Sequence, residues 1–314
     1  MTSQVIPAAI TKEGLLGKSK VYMQRAFRSK QAGDLDEYQL WASLALELLG
    51  KAALARIHPS LVADPTHYQS LFAACGVQVG TDIKTISAGT LYKRLLHLSK
   101  YFDTKVKDFC DTISLRRNAE LHSGEAPFQQ MRLEAWEGRY WHAAQIILNI
   151  LNSSLEEWLG ADQARAPSEV VRHAADALVQ AARGRVDQAK EHFEKRPKKE
   201  RLNAIDDSKT KHAYHYPSLF KLLADHQWGV ECPACTGRAF LAGITYGEEV
   251  LDEVSDEEGW EEVVEKSYGA EELQCPVCDL HLDSREEIEA VGVDPDHTET
   301  EVREREYEPD YGNC

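Results

Sequence analysis

DTKVKDFCDTISLRRNAELH, residues 103 to 122, decides how the first half of the chain is read. Val106, Phe109, Cys110, Ile113 and Leu121 fall on one stripe at the helical period, not at the alternation of a strand. Arg117 falls on the same stripe, so a permanent cation points inward from this helix. The period extends both ways. Upstream it runs through Leu40, Leu44, Leu48 and Ala52. Downstream, a helix over residues 128 to 158 carries Leu133, Trp136, Tyr140, Ile147, Leu151 and Leu155, enough for the long central member of a bundle. Breaks at Ala32-Gly33-Asp34, His58-Pro59-Ser60, Gly76 to Thr81 and Ser123-Gly124 delimit about four helices plus an N-terminal one.

The 314 residues, 43% hydrophobic, suffice for two domains of ordinary size. No apolar stretch has the ~20 residues of a membrane span, and Met1 to Ile10 lacks the pattern of a secretory signal. The expectation is a cytoplasmic protein with no membrane partner. The formal charge of -16 is unevenly spread. From Thr245 to Cys314 there are 25 acidic residues against 4 basic, which leaves 32 basic against 27 acidic, or +5, for residues 1 to 244. Gly14 to Ser19 suggests a phosphate loop, but the spacing is wrong and no strand precedes it, which excludes nucleotide hydrolysis there.

After Pro167 a polar, Ala-rich helix from Ser168 to about Phe193 runs into Lys195-Arg196-Pro197-Lys198-Lys199, read as a solvated domain linker. Four of the seven cysteines form two Cys-Pro-x-Cys pairs, Cys232/Cys235 and Cys275/Cys278, with 39 residues between them. Each pair supplies two thiolates from one tight turn, and two pairs complete the tetrahedral shell of a structural zinc ion. Short β-like runs at Arg238 to Tyr246 and Glu262 to Tyr268 complete a zinc ribbon, with Gly247 to Gly259 looping out. His281 could replace one cysteine as ligand. With four positions filled, no open site remains for catalysis. Cys75 and Cys110 read as core or near-core thiols, Cys314 as unassigned, and residues 292 to 314 as a poorly ordered acidic tail.

Arg117-Asn118-Ala119-Glu120-Leu121-His122, on an apolar-striped helix ending at Ser123-Gly124, resembles the signature of the HEPN superfamily, helical-bundle proteins that include ribonuclease toxins and antiviral effectors. That signature is an Arg followed after four to six residues by a His, often with a polar residue directly after the Arg. The resemblance covers about residues 10 to 160 and includes Glu47-x-x-x-Lys51, a pair found in some members. It implies a HEPN-like fold and an endoribonuclease that needs no metal for catalysis. Arg117 and His122 would be catalytic, Asn118 would orient the phosphate, and Glu47 and Lys51 would support them. The chemistry suits these residue types: a histidine moves a proton near neutral pH, and an arginine fork holds phosphate oxygens. Five residues turn a helix through roughly 140°, so the two side chains do not share a face. In the family the site is composite across a homodimer, and the resemblance implies the same here.

The expected organisation is therefore mainly α: a HEPN-like bundle over 1–162, a helical connector over 163–226, a β-rich zinc ribbon over 227–293 and an acidic tail over 294–314. RNA is the expected substrate, a toxin or antiviral-defence effector the implied role, and the acidic tail is expected to compete with RNA for the +5 part. The alternative is a non-catalytic adaptor, in which the bundle dimerises and the ribbon and tail bind a partner protein. There Arg117 makes a buried salt bridge with Glu47 or Glu120, and His122 caps its helix.

Overall fold

Side-chain caps set most of the helix starts. Thr11 accepts the Gly14 N–H to open α1 (Lys12–Gln31), and Asp34 accepts from Glu37 to open α2 (Leu35–Ile57). α3 spans Tyr68–Ala74. Ser87 caps α4 (Ala88–Leu96), Asp103 caps α5 (Thr104–His122), and Ser154 caps α7 (Leu155–Leu159) behind α6 (Leu133–Ile150). Gly33, at φ +81°, takes the left-handed conformation that ends α1 and reverses the chain into α2. This computed structural model describes residues 6–77, 80–129, 133–216, 218–220, 222–256 and 259–304. The chain divides into two compact units, Met1–Asp176 and Ala177–Cys314.

The first unit is helical, as the periodicity predicts. Its central member is different from the expected one. α2 packs on α1, α4, α5 and α6, and 13 of its 23 residues are buried, so it takes the middle position. The helix expected over 128 to 158 breaks instead at Asn152, which adopts φ 52°, before α7 starts anew at its Ser154 cap. Leu151 and Leu155 keep the period across this break, which hid it. Arg117 does point inward, its side chain only 12% exposed, but Leu121 is exposed, so the apolar stripe stops short of the helix end. Cys110 is buried and Cys75 is exposed, which corrects the reading of Cys75 as near-core. A polar anchor sits within this core: the fully buried Ser19 hydroxyl donates to the Ala45 carbonyl at 2.8 Å and accepts the Trp158 indole N–H at 3.2 Å.

α8 (Ala161–Glu194) begins before Pro167, not after it, and the unit boundary lies inside it. Its second half belongs to the ribbon unit because Ala182, Ala189 and Phe193 recur on one face and are buried with Leu241, Leu273 and Ile288. The expected connector is thus partly core. The basic break is no free hinge either: the Arg196 guanidinium donates to the Val277 carbonyl at 2.7 Å, and α9 (Lys198–Lys209) follows at once.

β1 (His226–Glu231), β2 (Arg238–Asp256), β3 (Gly259–Gln274) and β4 (His281–Leu282) form an antiparallel sheet in that order, and β5 (Asp296–Glu304) also pairs with β3. α10 (Arg285–Ala290) lies between β4 and β5 in the chain. The expected loop at Gly247 to Gly259 is strand through Asp256, in register from Gly247↔Ser267 to Asp256↔Gly259, with bulges that absorb the irregular pattern.

The expected tail is likewise corrected from residue 296 to 304. Thr298, Thr300 and Val302 alternate along β5, and Arg303 bonds the carboxylates of Glu262 at 3.0 Å and Glu248 at 2.8 Å, while Lys266 pairs with Glu301. Composition concealed this alternation. Residues 305–314, including Cys314, lie outside the described part. Deleting residues 294–314 would remove a strand, so it is no clean test of tail inhibition.

Replacing Ser19 by alanine leaves the buried Trp158 N–H without its acceptor, and a loss of about 1–3 kcal/mol is expected. Urea unfolding followed by helical circular dichroism should show a lower midpoint at unchanged slope; an unchanged midpoint would contradict this bonding.

Candidate functional site

In the first unit, three charges far apart in the chain meet. Glu47 and Lys51 stand one turn apart on α2, and the Glu47 carboxylate takes the Lys51 ammonium at 2.8 Å on one oxygen and the Arg117 guanidinium of α5 at 2.5 Å on the other. All three side chains are largely buried. Lys51 also donates to the Thr85 hydroxyl at 3.0 Å. Thr85 is held by an isolated bridge to Ala63, and nothing in the sequence around it signals this role. Burial acts to raise the Glu47 carboxyl, but the Lys51 ammonium and Arg117 guanidinium outweigh it and hold the group below its usual range. The Glu47 carboxylate thus sits between two basic side chains, and the formal charges of the three sum to +1. The Arg117 Nε lies buried without a hydrogen-bond partner among the described residues. Tyr92 is fully buried; desolvation first, with Cys110 and Glu47 adding, pushes its phenol well above the ordinary range, so it stays neutral.

The other two motif residues are elsewhere. Asn118 and His122 are exposed, and among the described residues no hydrogen bond or ion pair joins either to Arg117. α5 remains helical through His122, and the Ser123 N–H bonds the Ala119 carbonyl at 2.9 Å. The helix does not fray, so Arg117 and His122 keep their separation of roughly 140° around the axis. One chain brings together Arg117, Glu47 and Lys51 but not Arg117 and His122.

In the second unit, the two cysteine turns are built alike. Cys232 N–H bonds the Gly237 carbonyl at 2.8 Å and Cys275 N–H the Leu280 carbonyl at 2.9 Å. Thr236 and Asp279, each directly after the second cysteine of its pair, both take positive φ, 61° and 64°. Gly237 packs closely on the opposite turn: a Cβ there would lie 3.0 Å from the Val277 side chain. β1 leads into the first turn and β2 out of it; β3 leads into the second and β4 out. The sheet therefore carries both turns to the same place.

All four thiols are free and buried, with the sulfurs within 4.8 Å of one another. Cys232–Cys278 and Cys235–Cys275 are each 3.6 Å apart. That is too long for a disulfide and close to the ~3.8 Å edge of a tetrahedron with ~2.3 Å metal–sulfur bonds. Hydrogen bonds from Cys235, Cys275 and Cys278 pull the Cys232 thiol below its usual range, while Cys275 and Cys278, facing that thiolate, are pushed up. Only a cation lets all four ionise together, and the donor set fits a metal such as zinc. His281 is not part of the cluster; its Nε2 lies 2.9 Å from the Glu272 carboxylate.

No helix among the described residues is long and apolar enough to cross a membrane. No family model, curated protein or solved structure matches the chain.

The cysteine geometry predicts about one equivalent of a divalent ion per chain in a tetrahedral thiolate shell. Cobalt loading should give the intense visible absorption of such a shell, and Cys275→Ser should abolish it and unfold the sheet; full cobalt binding by that variant would contradict the assignment.

Proposed function

We propose that the first unit is a metal-independent RNA endonuclease of the HEPN type, acting as a homodimer, and that the cysteine cluster holds a structural zinc ion. One observation carries the reading: Glu47, Lys51 and Arg117, the residues the resemblance draws from two distant segments, converge in one buried triad with an excess positive charge. A buried cation excess favours an anion such as the scissile phosphate.

In the proposed reaction a histidine takes the proton of the RNA 2′-hydroxyl as that oxygen attacks phosphorus. The phosphorus–5′-oxygen bond breaks, and the leaving oxygen gains a proton in turn, the histidine giving up the one it took so that the net proton count is unchanged. The products are a 2′,3′-cyclic phosphate and a 5′-hydroxyl. Arg117 stabilises the charge on the phosphate, Asn118 orients it, and Glu47 and Lys51 hold Arg117 in place. Because Arg117 and His122 diverge around α5, the site takes its histidine from the second protomer, which makes dimerisation a condition of activity. The zinc serves folding and contact with a partner protein, and the setting that fits best is a toxin or antiviral-defence effector.

A second reading has its own support. The Arg117 guanidinium is occupied by Glu47 and little exposed, the arrangement of a structural ion pair, as in a non-catalytic dimerising adaptor. Cleavage of a mixed single-stranded RNA pool in EDTA separates the two. The nuclease reading predicts cleavage by the wild type, a loss of about 10²–10⁴-fold in His122→Ala, a comparable loss in Arg117→Ala, and cyclic phosphate ends. Equal cleavage by all three folded proteins, or equal silence, would favour the adaptor.

A further inference from the structure

Partway along the sheet from the cysteine turns, beside Gly243 and Thr245 of β2, His226, His297 and Glu299 bring donor atoms of the metal-ligating kind together. His226 opens β1 and Trp228 follows two residues on, Tyr268 stands on β3, and His297 on β5. Their rings lie near-parallel in one cluster. His226 lies 4.5 Å from Tyr268 and 5.3 Å from His297, the two imidazoles are within 4° of parallel, and Trp228 lies 5.2 Å from His297.

Gly243 of β2 makes this possible. It pairs with His226, and a Cβ there would lie 2.9 Å from the Trp228 ring and 2.3 Å from the Gly269 carbonyl oxygen. With no side chain in between, rings from β1 and β3 meet across β2. His297 pairs with Tyr268, and Glu299, two residues further along β5, faces the same side. The Glu299 carboxylate lies 3.3 Å from His226 Nε2, and one donor atom each from His226, His297 and Glu299 lie within 4.8 Å of one another.

As an ion pair alone this contact would add little, because Glu299 is about half exposed, at 53%. The convergence of two imidazoles and a carboxylate on one point has a more specific chemistry. We propose that His226, His297 and Glu299 form a second metal site, for a divalent transition ion of the zinc, cobalt or nickel class. Imidazole nitrogens select these ions over magnesium and calcium, which prefer all-oxygen shells. Three protein ligands leave at least one coordination position open, unlike the cysteine cluster, whose four thiolates fill a tetrahedron. Bond lengths of about 2.1 Å require the three donors to draw in slightly around the ion, and Glu299 has the freedom to do so. The ion would join β1 to β5, strands that do not pair with each other, and so tie the last strand to the first. Six positions separate His226 from Cys232, roughly 20 Å along an extended strand, so the two sites load independently.

The test uses the full chain with its cysteine cluster filled with zinc, titrated with nickel and followed by calorimetry and tryptophan fluorescence. One further equivalent is expected, with quenching that largely disappears in Trp228→Phe while nickel still binds. His297→Gln and Glu299→Gln should each weaken binding by roughly tenfold or more. Glu299, exposed, keeps the test valid if His297→Gln loosens β5. Absence of a saturable extra equivalent, binding unchanged in the Glu299 variant, or quenching that survives Trp228→Phe would overturn the proposal.

Discussion

Glu47 accepts two cations in a place where water is scarce, and the helical unit is arranged around that constraint. A buried carboxylate is costly alone, and so is a buried guanidinium or ammonium; each becomes tolerable only when the others are in position. The pairing fixes α5 against α2, because Arg117 reaches Glu47 only when the inward stripe of α5 faces the central helix. Lys51, one turn from Glu47, then anchors the Thr85 segment to the same point. The triad thus links three stretches of chain through charges that apolar packing alone would not select, and its surplus positive charge is what makes it a candidate anion site.

The sheet unit rests on a different constraint. Four thiols brought within 4.8 Å cannot all ionise without a cation, so the turns and the sheet that carries them are built as a site that could hold a metal ion. Arg196 from the break after α8 reaches the second turn, and the α9 residue Ser208 accepts the N–H of Arg238 at the start of β2 at 2.9 Å. Acidic strands coexist in one sheet because described basic residues of this region bridge them: Lys266 pairs with Glu301 and Arg303 with Glu248 and Glu262, while Arg285 of α10 holds Asp296 at the start of β5.

Local patterns were legible wherever one physical rule governs them. Helical period gave the helical unit, the Cys-Pro-x-Cys turns gave the convergence of four cysteines, and the position of Arg117 on an apolar stripe gave the inward cation. Reading failed where two rules compete. Leu151 and Leu155 carry the period straight over Asn152, where the left-handed residue and the Ser154 cap end one helix and start another. In β5 the acidic composition masked the alternation of Thr298, Thr300 and Val302, and the basic partners that make acidic residues tolerable there lie on β3 and within β5 itself. Thr85 and Gly243 act through contacts with distant segments, and no local pattern announces such residues.

A double-mutant cycle on Glu47 and Arg117 tests the founding interaction most directly. Urea unfolding of the wild type, Glu47→Gln, Arg117→Gln and the double variant gives the coupling free energy. A coupling of about 1–3 kcal/mol is expected, with the double variant less destabilised than the two single losses combined. Additive losses would mean that the two side chains do not act together, and would remove the basis for an organised charged site in this bundle.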